Sequence, residues 1–128
     1  MADADQVALL RSGVAAWNVW RDHHAGTEPD LSGASLRGAD LTWADLSAVN
    51  LRQADLRGAN LRNARLTGAR LDGANLFKAV LQDADLGGAV LLGAQFLNCA
   101  QLVTTHNWES ARRDPGLACG APIPERGL

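Results

Sequence analysis

Aromatic residues are scarce in this 128-residue chain: four tryptophans, two phenylalanines and no tyrosine. A compact globular core mixes large shapes to fill its space, so the shortage points to a narrow core built from one repeated packing unit. An excess of either charge is also lacking. Twelve Lys and Arg stand against fourteen Asp and Glu, a formal net charge of −2, which gives no drive towards nucleic acid, a membrane or an acidic substrate. The two cysteines, Cys99 and Cys119, are too few and too late in the chain for a disulfide framework. A reducing cytoplasm is therefore the expected compartment. The opening MADADQVALL has no basic leader and no long apolar run, so neither a secretory signal nor a membrane span is expected. At this length one domain is expected.

What is abundant is alanine and leucine, 23 and 20 residues respectively, and they stand in register. Leucine recurs at every fifth position from Leu31 to Leu91, and Phe96 takes the next place. Two residues before these centres stand Pro29 and then alanine as far as Ala94, broken only by Val49. Such an internal repeat outranks other signals. An α-helix cannot use it, because a step of five turns the leucine by roughly 140° around the axis each time. A flat strand cannot use it either, because an odd period flips the leucine to the opposite face at every repeat. Within one repeat, however, Ala-x-Leu is strand-like. The chain must bend in the two remaining residues so that the next pair again points inward, and repeated bending winds a coil. Glycine fills the second position after many centres, from Gly33 to Gly93, with Asn63 and Asn98 in the same slot, as a tight turn requires.

The run ADLRGANLRNARL, residues 54–66, resembles the pentapeptide-repeat family, whose consensus is A-(D/N)-L-x-x. The resemblance covers 29–98. It implies an all-β solenoid: a right-handed quadrilateral β-helix with four repeats per turn, leucine and the small residue inward. About 3.5 coils follow, or a rod roughly 17 Å long at a strand spacing of ~4.8 Å. Val80 and Val90 depart from the usual Asp/Asn, and Phe96 from the leucine. The expected organisation is a capping helix and linker at 1–28, the repeat block at 29–98, and a C-terminal cap helix with an extended tail at 99–128.

A solenoid's open ends expose core and unpaired backbone and need covers. Residues 5–23 read as one amphipathic helix presenting Val7, Leu10, Val14, Trp17 and Trp20, capped by Asp3 or Asp5. The tryptophans are expected on the first coil, near Trp43. The segment TTHNWESARRD reads as a short helix with Trp108 and Ala111 towards the coil, stopped by DPG; APIPERGL reads as an extended tail. Phe77, Val80, Val90, Leu92 and Leu97 form an outward apolar patch near the last coil. The C-terminal segment with Trp108 covers it, or a second copy does. Dimers of the family commonly meet at that end.

Residues twenty apart should stack. Asp45, Arg65 and Asp85 then alternate in sign, Arg52 lies beside Asp72, and Arg37 stacks on Arg57. Arg52, Arg57 and Arg62 hold the same slot on three successive sides and, with Arg37, make the candidate partner-binding set. The block carries seven acidic and seven basic residues. Family members that imitate DNA and bind DNA gyrase are strongly negative. A ~17 Å rod would need about ten uncompensated charges to match a duplex, so the gyrase-directed reading is the disfavoured alternative. Nucleic-acid binding is not expected, since the arginines are offset by Asp and lack interleaved aromatics. His23, His24, His106 and the cysteines form no CxxC, HxxxH or HExxH arrangement, and no nucleophile elbow or phosphate loop occurs. The expectation is a non-enzymatic interaction or scaffold module with no cofactor and an unnamed protein partner.

Overall fold

Each five-residue repeat turns one corner of a coil. The computed structural model describes residues 1–124. Parallel bridges join Asp30 to Asn50, Asn50 to Arg70 and Arg70 to Val90, and likewise Ser35, Asp55, Asn75 and Gln95 on the next side. Residues twenty apart therefore lie side by side, and four repeats complete a turn. Pairing is confined to one bridge per repeat, because a turn interrupts the ladder at every corner. At the first corner Ala34 N–H donates to the Leu31 carbonyl (3.0 Å), while Leu31 N–H reaches the Asn50 carbonyl on the next coil (2.8 Å). Every centre leucine from Leu31 to Leu91 is at most 3% exposed. The axis is thus filled by leucine, with alanine allowing adjacent walls to approach.

The Asp/Asn preference before each leucine has a local cause. The side chains of Asp30, Asp40, Asp45, Asn50, Asp55, Asn60, Asn75 and Asp85 each accept the backbone N–H two residues on. Such Asx contacts pre-form the corner. Val80 and Val90 cannot make them.

The second residue after each centre, from 33 to 93, is left-handed, including the non-glycine residues Trp43 (φ 66°), Ala48 (φ 58°), Gln53, Asn63, Lys78 and Asp83. A type II turn demands a positive φ there. Left-handed backbone costs an L-residue roughly 1–2 kcal/mol, part of which is returned because glycine loosens the unfolded chain. Ala48→Gly should therefore raise the melting temperature by about 2–4 °C. Gly58→Ala, where an added Cβ would meet nothing within 4 Å, should lower it by a similar amount. Thermal melts of the two variants check this; a rise for both would contradict it.

The N-terminal cover is two helices, not one: α1 over Ala4–Ser12 and α2 over Val14–His23. Gly13, at φ 146° and ψ 146°, breaks the expected single helix at a conformation side chains resist. The break lets both Leu10 and Trp17 bury against the coil, at 1% and 0% exposure. Asp3 caps α1 by accepting the N–H groups of Asp5 and Gln6. The pair also satisfies the coil's open edge. Trp17 Nε1–H donates to the Asp45 carbonyl (2.8 Å), Asn18 accepts Asp45 N–H and donates to the Trp43 carbonyl, Arg21 donates to the Ser47 carbonyl, and Arg11 to that of Ser35. Trp20 stacks on His24 and meets Trp17 at a tilt. Trp43, expected beside the two tryptophans, instead stands 67% exposed, because its left-handed corner throws the side chain outward.

At the other end the regular winding stops at Gln95. Phe96, read as another inward centre, is left-handed (φ 58°) and 64% exposed. Asn98, read as a turn residue, caps the four-residue helix α3, Cys99–Leu102, in a reciprocal capping box with Gln101. The chain then resumes the coil with a longer stride: bridges pair Asp85 with His106 and Val90 with Arg112. The extra residues bulge out as α3 and as a 3-10 turn at Trp108–Ser110, where a short helix was expected. DPG does not simply stop the chain; Pro115–Leu117 forms a second 3-10 turn. The last four residues of the expected extended tail, 125–128, lie outside the described residues.

Two features of this end depart from the sequence reading. Cys99 and Cys119 are bonded to each other, twenty residues apart, where unpaired thiols were expected. One circuit of the coil is about that long, so the winding itself returns the second cysteine to the first. Arg113 follows Arg112 as Leu91 follows Val90, and so succeeds leucine in the Leu31–Leu51–Leu71–Leu91 column. It is 2% exposed. Its guanidinium donates to the carbonyls of Glu109, Ala111, Leu117, Ala118 and Pro122 and lies 5.0 Å over the Trp108 ring.

Candidate interaction surface

With the axis filled, chemistry is confined to the outer walls, and the backbone register assigns each side chain to a column. Gly38 N–H donates to the Arg57 carbonyl and Gly58 N–H to that of Phe77, so Arg37, Arg57 and Phe77 stand in one column along a single corner. Arg52 belongs to another, between Ser32 and Asp72, and Arg62 to a third, beside Thr42 and Gln82. Of the four candidate arginines the fold therefore brings together Arg37 and Arg57 and sends Arg52 and Arg62 to separate corners. Three successive repeats face three successive directions, and no flat partner meets all of them.

The ion pairs sort the arginines further. Arg57 forks onto Asp55 through Nε (2.8 Å) and Nη2 (2.7 Å). Arg52 Nε lies 3.7 Å from Asp72. Among the described residues, Arg37 and Arg62 have no carboxylate within ion-pair distance. The opposite wall carries the alternating backbone column Asp45, Arg65, Asp85 and His106, with Arg21 at 3.9 Å from Asp45 and His106 Nε2 at 3.2 Å from Asp83. The more exposed pairs, Arg52–Asp72 and Arg57–Asp55, are of a kind worth ~0–1 kcal/mol each.

The Arg57 hydrogen bonds hold the Asp55 carboxyl down at about 2. Because the folded value lies below the unfolded one, the stabilisation is complete above the ordinary carboxylate range and is lost as pH falls through about 2. Carboxyl NMR should give an Asp55 midpoint near that value, moving up in Arg57→Gln. An unmoved midpoint would show that the fork does not hold it.

The apolar set divides. Phe77 is 46% exposed and meets Phe96 edge-on, centroids 5.5 Å apart, with Lys78 Nζ 5.3 Å from the Phe77 ring. A shallow cleft of about 280 Å³ is lined by Arg37, Arg57, Gly58, Phe77 and Lys78. The others lie towards the C-terminal segment. Val90 is bridged to Arg112, Leu92 faces Arg113, Pro115 and Ile123, and Leu97 and Trp108 pack on the core. Val80 is half-buried, and Gln101 donates to the adjacent Ala79 carbonyl. The Phe77–Phe96 contact was missed because the five-residue register placed Phe96 inward. The one signal in the sequence was Phe96 itself, a centre that is not leucine.

Among the described residues no three His, Cys, Asp or Glu side chains gather where a metal could sit, and no helix is long and apolar enough to cross a membrane. The structure defines a parallel solenoid of five-residue rungs, closed by helices at one end and by a disulfide-pinned segment at the other. The pentapeptide-repeat family model matches in eight copies over 30–53, 44–83 and 54–93, and the chain belongs to that family. It is similar to a pentapeptide repeat protein from the Arabidopsis thaliana thylakoid lumen, at 30% identity over 76% of this chain and 68% of that one, TM-score 0.45. A pentapeptide repeat protein from the cyanobacterium Cyanothece 51142 matches at 29% over 72% and 65%, TM-score 0.29. One from Nostoc PCC 7120 matches at 26% over 84% and 94%, TM-score 0.27. Among curated proteins none matches the chain.

Proposed function

We propose that the chain is a non-enzymatic protein-interaction or scaffold module, wound as a right-handed quadrilateral β-helix of about 3.5 coils, whose flat sides hold side chains at fixed spacing for a partner protein. The capping segment 1–28, repeat block 29–98 and C-terminal segment 99–128 are its working parts. The observation that carries the reading is the filled axis. Leucines from Leu31 to Leu91 leave no interior for a substrate, so recognition is left to the walls. Arg37, Arg52, Arg57 and Arg62 are the wall positions assigned to partners, each corner acting separately. Homodimerisation through the C-terminal end is the less favoured role for the apolar set, since Arg112 of the same chain pairs with Val90, and Pro115 and Ile123 share a cleft with Leu92. The Cys99–Cys119 bond favours an oxidising compartment over the cytoplasm expected from the sequence.

Crosslinking in the native host followed by mass spectrometry tests the reading. Specific proteins should be recovered with the native surface and not with a surface-scrambled control; identical recovery from both would refute it. The gyrase-directed alternative is disfavoured by the charge balance of the block. Inhibition of supercoiling at micromolar protein would reverse that preference.

A further inference from the structure

We infer that the corner carrying Arg37, Arg57, Phe77, Lys78 and Phe96 is the docking surface, and that it takes an acidic protein segment bearing an apolar anchor. This rests on the interaction-module reading and narrows it to one wall and one chemistry. The chain's two phenylalanines are both on the surface, 46% and 64% exposed, and they touch each other. A chain whose core is leucine and alanine had no packing need for either ring outside. Phe96 moreover occupies left-handed backbone, a strained state for a bulky residue that surrounding contacts must impose.

Charge supplies the other half of the recognition. Among the described residues three cations, Arg37, Arg57 and Lys78, line this cleft with no carboxylate, and Asp40 shares a separate cleft with Arg37. Asp55 uses Nε and Nη2 of Arg57, so among the described residues Nη1 of Arg57 and the whole of Arg37 keep their donors for an incoming anion. Arginine beside an aromatic anchor is the composition of a binding hot spot. From Arg37 to Phe77 is two coil spacings, about 10 Å. An extended segment of about four residues spans that length at ~3.3 Å each, its carboxylates over Arg37 and Arg57 and its apolar side chain against Phe77 and Phe96. A nucleic acid fits less well. Lys78 lies over the Phe77 ring and Phe96 meets it edge-on, which leaves no open platform for base stacking.

A random peptide library displayed against the full chain tests the assignment. Selected peptides should be rich in Asp and Glu beside Leu, Phe or Trp. A labelled selected peptide should lose about tenfold or more in affinity with Arg37→Glu, and likewise with Phe77→Ala/Phe96→Ala. It should also weaken as NaCl rises from ~50 to ~500 mM. Both variants alter exposed side chains, so their melting curves serve as the folding check, and the two act through different chemistry. Neutral or basic peptides, or failure to select any, would overturn the inference. So would a single-stranded oligonucleotide that displaces the peptide, or self-association of the chain that Phe77→Ala abolishes. If acidic peptides bind equally well to both variants, they sit on another wall: the docking corner is then wrong while the interaction-module reading stands. Failure of that broader reading shows separately, in the crosslinking comparison.

Discussion

Replacing Arg113 with leucine should destabilise the protein, although leucine is the residue the repeat would place there. Arg113→Leu continues the leucine column, but it leaves the carbonyls of Glu109, Ala111, Leu117, Ala118 and Pro122 without their donor. A buried carbonyl stripped of its partner costs ~1–3 kcal/mol. Some of the five will find water once the cap loosens, so the expected net loss is about 3 kcal/mol. Burial lowers the guanidinium's pKa, opposed by the Glu109 charge; the carbonyl dipoles and the Trp108 ring are what hold the cation. Lysine cannot substitute, because its three donors do not form a planar fork. Arg113→Lys should lose most of the same stability. In a repeat fold such a loss can stay local, so the decisive measurement is hydrogen exchange. Amides of Leu91, Arg112 and Leu117 should exchange much faster in both variants, while Leu51 to Leu61 stay protected. Unchanged protection at Leu117 would show that the carbonyl cage contributes nothing.

The second large effect is expected on reduction. The Cys99–Cys119 bond closes a loop of twenty residues, for which chain-entropy arguments give ~3 kcal/mol. The intact mass of the unreduced protein should be about two daltons below that of the reduced form, since one bond replaces two S–H groups. Adding a reductant, or making Cys99→Ser/Cys119→Ser, should lower the melting temperature by roughly 10 °C. Two titratable thiols in the unreduced protein would rule the bond out, and a melting temperature indifferent to reductant would rule out its stabilising role. The bond and Arg113 act on the same segment, since all five carbonyls bound by Arg113 lie between Glu109 and Pro122. Their effects should be non-additive: once one is lost, removing the other costs less.

Both results concern the same hazard. A coil of parallel rungs ends in unpaired backbone, a template for another chain. At the first coil the edge is met by side chains of α1 and α2, among them Trp17, Asn18 and Arg21. At the last coil it is met by backbone: Leu86 N–H donates to the His106 carbonyl and Leu91 N–H to that of Arg112. The second solution needs the segment held in place, which is the work of the disulfide and the arginine. An unpinned cap would expose the rung edges beside the Phe77–Phe96 corner.

The winding was legible because it rests on a period. Leucine every five residues fits neither a helix nor a flat strand, whatever the surroundings, and the Asp/Asn and Gly slots record the corner one repeat at a time. The stacking of Asp45 on Arg65 and of Arg52 on Asp72 followed from the four repeats per turn that the family resemblance implies. The candidate surface was legible only in part. The register already put Arg52, Arg57 and Arg62 on three successive sides and Arg37 on Arg57; what it did not show was the fork of Arg57 onto Asp55 and the meeting of Phe77 with Phe96. Arg113 carried a readable trace, an alanine two residues before it as before most of the leucines, but the altered stride of 22 residues from Leu91 hid it.

What the sequence settled by itself was therefore the local rule: which side chain points inward and where the chain bends; the twenty-residue turn came from the family resemblance. Only the tertiary structure decided how the coil ends, because each ending depends on contacts across an interrupted register. The break at Gly13, the outward turn of Phe96, the meeting of Cys99 with Cys119 and the carbonyl cage of Arg113 are set by which open edge lies nearby. A period carries no information about the place where it stops.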